Sequence, residues 1–303
     1  MRELKGIYSA LVTPFTDGGE VDEQVLARIV AHQLDAGVDG FYVSGGTGEG
    51  ILQTVPQRAR AVRVVMDQVA GRAGVIAHVG ATAAQDAVEL AGQAAAMGVD
   101  AVSALPPIFY KVPFVATLAY YSQVAQAARV PMLAYYIPGV SGISFSVAEF
   151  AQLLAVPHMV GVKFSDYNLF VMSQVRDLHP SAVIMSGNDE VMLAALTMGA
   201  HGAIGLTLNL MPKLYVRIYQ AHGDGQMARA RELQYKANRV IHVLMTVGPG
   251  AIAVVKPVMK MIGFDCGEPR GPLPPTDRQT CDQIHRALDD IGFFGDPDYG
   301  VAN

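Results

Sequence analysis

Ala182-Val183-Ile184-Met185-Ser186-Gly187-Asn188-Asp189-Glu190-Val191-Met192-Leu193-Ala194-Ala195-Leu196-Thr197-Met198-Gly199-Ala200-His201-Gly202-Ala203-Ile204-Gly205-Leu206 reads as a strand, a helix and a second strand in one unbroken run. Ala182–Met185 and Gly202–Leu206 are the short apolar runs. Asp189-Glu190 opens the helix, where carboxylates favour the positive end of the dipole. Met198-Gly199 closes it with glycine at the first position beyond the helix. Gly199-Ala200-His201-Gly202 then leads straight into the second strand. A helix between two strands carries the chain back to its starting end, so the strands lie parallel.

Working outward, the same unit recurs. Gly6–Val12, Gly40–Ser44, Val75–Val79, Ala101–Leu105, Pro131–Tyr136 and Val160–Phe164 complete a set of eight runs. They are nearly continuous in apolar residues rather than alternating, the pattern of strands covered on both faces. Helix starts stand between them: Thr54-Val55-Pro56-Gln57, Thr82 with Gln85, and Ser146 with Glu149 have capping-box spacing. Ala36-Gly37, Ala70-Gly71 and Met97-Gly98 supply further stops. Eight strand–helix units fit an α/β fold of the closed (β/α)8 TIM barrel type; a doubly wound open sheet is the competing arrangement, and the lack of a linker favours closure. Helical pattern continues over Leu210–His222, Met227–Val247, Ala251–Ile262 and Asp277–Ile291, more than the barrel needs. The expected organisation is a barrel over residues 1–223 and a C-terminal helical extension over residues 224–303, packed as one domain.

Composition narrows the function classes. The chain has 303 residues, 51% hydrophobic and 16% charged, with net charge −5. The charged share is below the roughly 25% usual for soluble domains, which fits surface buried in an oligomer. The acidic balance and the lack of a basic run argue against nucleic acid as a partner. The two cysteines, Cys266 and Cys281, make neither a disulfide framework nor a zinc knuckle. No apolar run approaches the roughly 18 residues of a membrane span, and Met1-Arg2-Glu3-Leu4-Lys5 has no signal-like core. A cytoplasmic location is expected, with no membrane partner.

In a barrel of this kind the reacting groups sit at the C-terminal ends of the strands. Lys163, within Val160-Gly161-Val162-Lys163-Phe164-Ser165-Asp166, is the strongest candidate. Desolvation in a buried strand lowers a lysine pKa and yields a neutral amine able to attack a ketone. The alternative is a strand-end lysine reaching solvent, or paired with Asp166. Lys256 is a rival in an apolar helical setting, where a packed stem with a solvated head is the expected outcome. Ser44-Gly45-Gly46-Thr47-Gly48-Glu49-Gly50 offers free N–H groups and the Thr47 hydroxyl to a carboxylate or phosphate, or is simply a tight turn. It has neither dinucleotide-binding nor Walker A spacing. Tyr135 and Tyr136 point to opposite faces, so only one enters the lumen. Asp189 and Glu190 could accept hydrogen bonds from a polyhydroxylated substrate. The histidines form no metal-ligand spacing, and His78 alone interrupts a strand as a core group; no metal and no cofactor are expected.

Together, Gly45-Gly46-Thr47-Gly48-Glu49, Tyr135-Tyr136-Ile137-Pro138 and Gly161-Val162-Lys163-Phe164-Ser165 resemble the pyruvate-dependent class I aldolase superfamily that contains N-acetylneuraminate lyase and dihydrodipicolinate synthase. The resemblance runs from Gly6 to about Pro275. It implies that Lys163 forms a Schiff base with a 2-oxo acid such as pyruvate, that Tyr135 relays protons, and that Thr47 and Gly46 hold the substrate carboxylate. It further implies substrate contacts from Ser165, Gly187, Asp189, Glu190, Gly205 and Leu206. Ile76-Ala77-His78-Val79-Gly80, Ile137-Pro138-Gly139-Val140-Ser141-Gly142 and Asn188-Asp189-Glu190 resemble the lyase branch, whose members cleave a 2-oxo acid to pyruvate and an aldehyde. The synthase branch places an arginine just after the strand-five tyrosine, and Pro138-Gly139-Val140-Ser141 has none. The resemblance also implies a homotetramer with Phe109 and Tyr110 near the neighbour's site. Three positions depart from the lyase pattern: Gly46 and Leu206 replace hydroxyl residues, and Phe109 stands where tyrosine is usual. Dehydration or hydratase–aldolase chemistry through the same lysine, and a non-catalytic 2-oxo acid binding protein, are the alternatives.

Overall fold

A computed structural model describes residues 2–301. Its eight strands are β1 (Gly6–Ala10), β2 (Gly40–Val43), β3 (Gly74–His78), β4 (Ala101–Ala104), β5 (Met132–Tyr136), β6 (Met159–Phe164), β7 (Val183–Ser186) and β8 (Gly202–Gly205). Each pairs in parallel with the next, and β8 pairs with β1 through Gly6 opposite Gly202, closing the barrel. The open-sheet alternative is thereby excluded.

The expected runs for β1, β2, β3, β4 and β8 extend past the observed strand ends, those for β5 and β6 end where the strands do, and that for β7 stops one residue early at Met185. At two of the long ends the N–H turns to a side chain instead of the ladder. Val12 N–H donates to Asn209 Oδ1 at 3.1 Å and Leu105 N–H to His78 Nε2 at 3.3 Å. The Thr54–Gln57 and Ser146–Glu149 capping boxes form as expected. The Thr82–Gln85 box does not: the helix starts at Ala84 with Ala83 as its cap, leaving Thr82 one position too early to reach the first turn.

Side chains alternate between two cores, as strand geometry requires. Ile7, Phe41, Val75, Ala134, Tyr136, Val162 and Phe164 pack outward against the helices. Tyr8, Tyr42, Ile76, Leu133, Tyr135, Met185 and Ile204 fill the lumen. The parity that sends Val162 and Phe164 outward therefore sends Lys163 inward.

The chain continues through Pro212–Gly223, Met227–Thr246, Ala251–Met261 and Arg278–Asp290. Met227–Thr246 packs along Pro212–Gly223 and buries Leu233, Ala237, Val240 and Leu244. It also grips the turn after β7. Gln234 donates to the Asp189 carbonyl at 3.0 Å and accepts from Leu193 N–H at 3.0 Å, while Asn238 donates to the Glu190 carbonyl at 3.1 Å. Among the described residues, no single helix is long and apolar enough to cross a membrane.

Candidate active site

Tyr135 and Lys163 are register partners on adjacent strands, so both side chains enter the lumen at one height. Lys163 is 3% exposed, and no carboxylate stands within 4 Å of its amine among the described residues. Its Nζ lies 4.1 Å from the ring centroids of both Tyr42 and Tyr135. Burial pushes its pKa from 10.5 down to about 7, opposed only in part by the more distant charge of Asp189. About half the amines are then neutral near pH 7, against roughly one in three thousand for an exposed lysine. Burial pushes the Tyr135 phenol the other way, to about 12.

The amine opens on a cavity of about 430 Å³ that Gly46, Thr47, His78, Tyr135 and Gly187 also line. The turn carrying Gly46 and Thr47 is set by Ser44 and Glu49, both in the left-handed region at φ 59° and 56°. Glu49 N–H donates to Gly46 O at 2.9 Å and Gly50 N–H to Gly45 O at 3.0 Å. Gly48 O accepts from Thr13 and Gln53. The Gly46 and Thr47 N–H groups have no acceptor among the described residues. A carboxylate at this wall would meet two backbone donors and a hydroxyl.

Two residues that the sequence did not single out support the cavity from behind its lining. The Tyr42 ring lies under the amine, and its hydroxyl is tied to Ser103 Oγ at 3.0 Å. Arg58 is 3% exposed and donates to the His78 and Gly80 carbonyls. His78 sits with Nδ1 3.1 Å from Ser44 O and Nε2 accepting from Leu105 N–H. Burial, with Arg58 and Lys163 nearby, holds it neutral well below its usual pKa. With both nitrogens engaged, it is a packed wall rather than an acid or base. Strand parity could have flagged Tyr42; nothing local to Arg58 signals its inward reach.

Asp189 and Glu190 lie close by, across the boundary that Gly187 and Leu206 form. With Leu206 and Gly187 they line a neighbouring cavity of about 240 Å³. Asp189 Oδ2 accepts from Thr207 N–H at 2.7 Å and Thr207 Oγ1 at 2.6 Å. Burial raises Asp189 to about 6, the Thr207 bonds opposing it. Glu190 accepts from the Tyr167 hydroxyl. Gly205 is required under Asp189, since a Cβ there would overlap Oδ1; Gly187 likewise makes room for the Ser165 hydroxyl. Ser165 and Gly205 thus shape the wall from behind, while Leu206 and Gly187 border both cavities.

Phe109 and Tyr110 lie outside, 88% and 74% exposed, with rings edge to face at 4.9 Å. Lys256 corrects its expectation. Its head is not solvated: it is 2% exposed, its Nζ is 2.8 Å from Glu49 Oε1, and it donates to Glu268 O at 3.1 Å. The pairing of Lys163 with Asp166 is not formed either; Asp166 Oδ1 instead accepts from Asn168 N–H. Among the described residues no three metal-ligating side chains converge.

The sequence model of the Dihydrodipicolinate synthetase family matches residues 3–291. An N-acetylneuraminate lyase from Rhizobium meliloti (strain 1021) is 38% identical over 273 residues, which span 89% of this chain and 90% of that protein. The structure of CdNal from Clostridium difficile in complex with mannosamine superposes with a TM-score of 0.91 at 29% identity, covering 96% of this chain and all of the other. A catalytic lysine mutant of Ruminococcus gnavus sialic acid aldolase gives 0.91 at 29% identity, covering 96% and 99% of the two chains.

Proposed function

The chain belongs to the dihydrodipicolinate synthetase family, and from that membership we propose that it is a class I aldolase of the N-acetylneuraminate lyase kind. It cleaves a 2-oxo acid reversibly to pyruvate and an aldehyde through a Schiff base on Lys163. The observation that carries the reading is the Lys163 amine, buried without a carboxylate partner and facing the carboxylate-accepting turn across one cavity.

The neutral amine adds to the substrate ketone, held by its carboxylate against the Gly46 and Thr47 N–H groups and the Thr47 hydroxyl. Tyr135 gives its proton to the departing hydroxyl, leaving a phenolate beside the new iminium. Facing Tyr42 and Tyr135 rings 4.1 Å from the nitrogen stabilise that cation. The phenolate takes the proton of the C4 hydroxyl while the C3–C4 electron pair flows into the iminium. An aldehyde leaves and an enamine remains. Tyr135 returns the proton to C3, and water releases pyruvate and the amine. No cofactor enters the sequence.

Elimination of water through the same imine is the second reading, favoured by the aliphatic wall at Leu206. Dihydrodipicolinate synthesis has less support, because the turn after Tyr135 is Pro138–Ser141 without an arginine. The exposed Phe109 and Tyr110, beside the cavity-lining Ile108, support a homotetramer in which they meet a neighbour. The free thiols of Cys266 and Cys281 accord with the cytoplasm.

The test needs no knowledge of the aldehyde. In D2O the enzyme should exchange the methyl protons of pyruvate, followed by proton NMR, because the enamine returns a solvent proton to C3. Lys163→Arg should end the exchange, since a guanidinium stays protonated. Exchange that survives this substitution overturns the reading.

A further inference from the structure

We infer that the aldehyde half of the substrate carries an apolar chain rather than a polyhydroxylated one, and that Leu206 sets this choice. The inference rests on the Schiff-base reading above.

The cavity has two unlike ends. Its polar side chains, Lys163, Tyr135 and Thr47, are all needed to bind and process the 2-oxo acid head. Beyond them the wall is made of branched aliphatics, among them Ile51, Ile137, Val140, Ile204, Leu206 and Ile252. The one other polar side chain of the lining is His78, and its ring nitrogens are already engaged with Ser44 O and Leu105 N–H. A hydroxylated tail lying in this cavity would find no free side-chain donor or acceptor.

The carboxylates able to receive hydroxyls, Asp189 and Glu190, open on the neighbouring cavity. Leu206 and Gly187 stand on the boundary, lining both spaces. Leu206 therefore presents a butyl group where a sugar chain would turn towards those acids. Thr207 engages only Oδ2 of Asp189, so Oδ1 remains an acceptor, on the far side of the Leu206 boundary. An alkyl or aryl group needs no partner in the aliphatic wall, and the volume of about 430 Å³ lies in the range of ordinary small-molecule sites. One extra hydroxyl against an apolar wall lowers kcat/KM by roughly 10²-fold.

The chemistry balances without a further reagent. A 4-hydroxy-2-oxo acid with an apolar group on C4 loses its C4 hydroxyl proton to the Tyr135 phenolate, and the C3–C4 bond breaks into the iminium. The apolar aldehyde leaves, C3 regains the proton, and water hydrolyses the imine to pyruvate.

The test is pyruvate release from four substrates: the aldol adducts of pyruvate with benzaldehyde and with isobutyraldehyde, the adduct with arabinose, and N-acetylneuraminate. Methyl exchange on pyruvate is run beside it. The expected result is a kcat/KM about 10²-fold or more higher for the two apolar adducts. Leu206→Ser should reduce that ratio at least about tenfold, with far-ultraviolet circular dichroism and the unfolding midpoint showing that the variant is folded. Exchange with equal or better cleavage of the hydroxylated pair overturns the inference and leaves the aldolase reading standing. Absence of exchange in the unaltered enzyme overturns both.

Discussion

Lys256 Nζ lies 2.8 Å from Glu49 Oε1 in a buried ion pair that ties the helix Ala251–Met261 to the turn bearing Gly46 and Thr47. Glu49 Oε2 also accepts from Arg270 N–H at 2.5 Å, and the Lys256 amine lies 4.4 Å from the Phe15 ring centroid. The pair separates two buried lysines by role. One is neutralised by a carboxylate and fixes the turn; the other faces the cavity unneutralised.

Removing one partner of that pair leaves a buried charge alone. Lys256→Met should destabilise the fold by about 3–5 kcal/mol, measured by denaturant unfolding. In the surviving fraction the KM for the 2-oxo acid should rise more than kcat falls, because the carboxylate turn loses its anchor. A change under 1 kcal/mol would show that the pair is solvated in solution.

Lys163 gives a signed pH prediction. Its folded pKa of about 7 lies below the unfolded 10.5, so the unfolded chain binds more protons between those values. Burial of this lysine therefore costs most at and below pH 7, and the cost fades as pH rises towards 10.5. Lys163→Met should raise the melting temperature at neutral pH and raise it less at about pH 10. The rate of imine formation with pyruvate should climb through a limb near pH 7 as the amine loses its proton. A limb near 10 would place the amine in water.

Tyr135→Phe keeps the ring over the amine and removes the proton relay. Pyruvate turnover in the methyl-exchange assay should fall by roughly 10²-fold or more, with a far smaller change in the dissociation constant of pyruvate by calorimetry. Equal losses in both would assign Tyr135 to binding alone.

Gln234 tests whether the C-terminal helices and the barrel unfold as one unit. Gln234→Ala leaves Leu193 N–H and the Asp189 carbonyl unpaired in a buried setting, and should cost about 1–3 kcal/mol. Its denaturation should remain one transition, followed equally by tyrosine fluorescence and far-ultraviolet circular dichroism.

The barrel was legible because each strand–helix unit carries its own punctuation. Gly37, Gly98 and Gly199 take positive φ where the sequence marks a stop, and the apolar runs are long enough to fix the strands. The exception at Thr82 is a one-residue offset, which a capping pattern alone does not resolve. The strand-end rule put Lys163, the Tyr135-Tyr136 pair and Thr47 at one mouth of the barrel, while the choice of Tyr135 and the grouping of the three came from the family resemblance. The fate of Lys256 was not, since its carboxylate lies about 200 positions away in the chain, a pairing only the closed barrel creates. The same holds for Arg58, which reaches His78 across the β2–β3 unit. Asp189 and Glu190 were singled out in the sequence, but that they border a space adjoining the lysine cavity at Leu206 depends on the turn after β8.

The central claim is that the Lys163 amine condenses with a 2-oxo acid. It is tested most directly by borohydride reduction of the enzyme with pyruvate, followed by peptide mass spectrometry. The account predicts a reduced pyruvyl group on the peptide carrying Lys163 and on no other lysine. An adduct on Lys256, or none under saturating pyruvate, would contradict it.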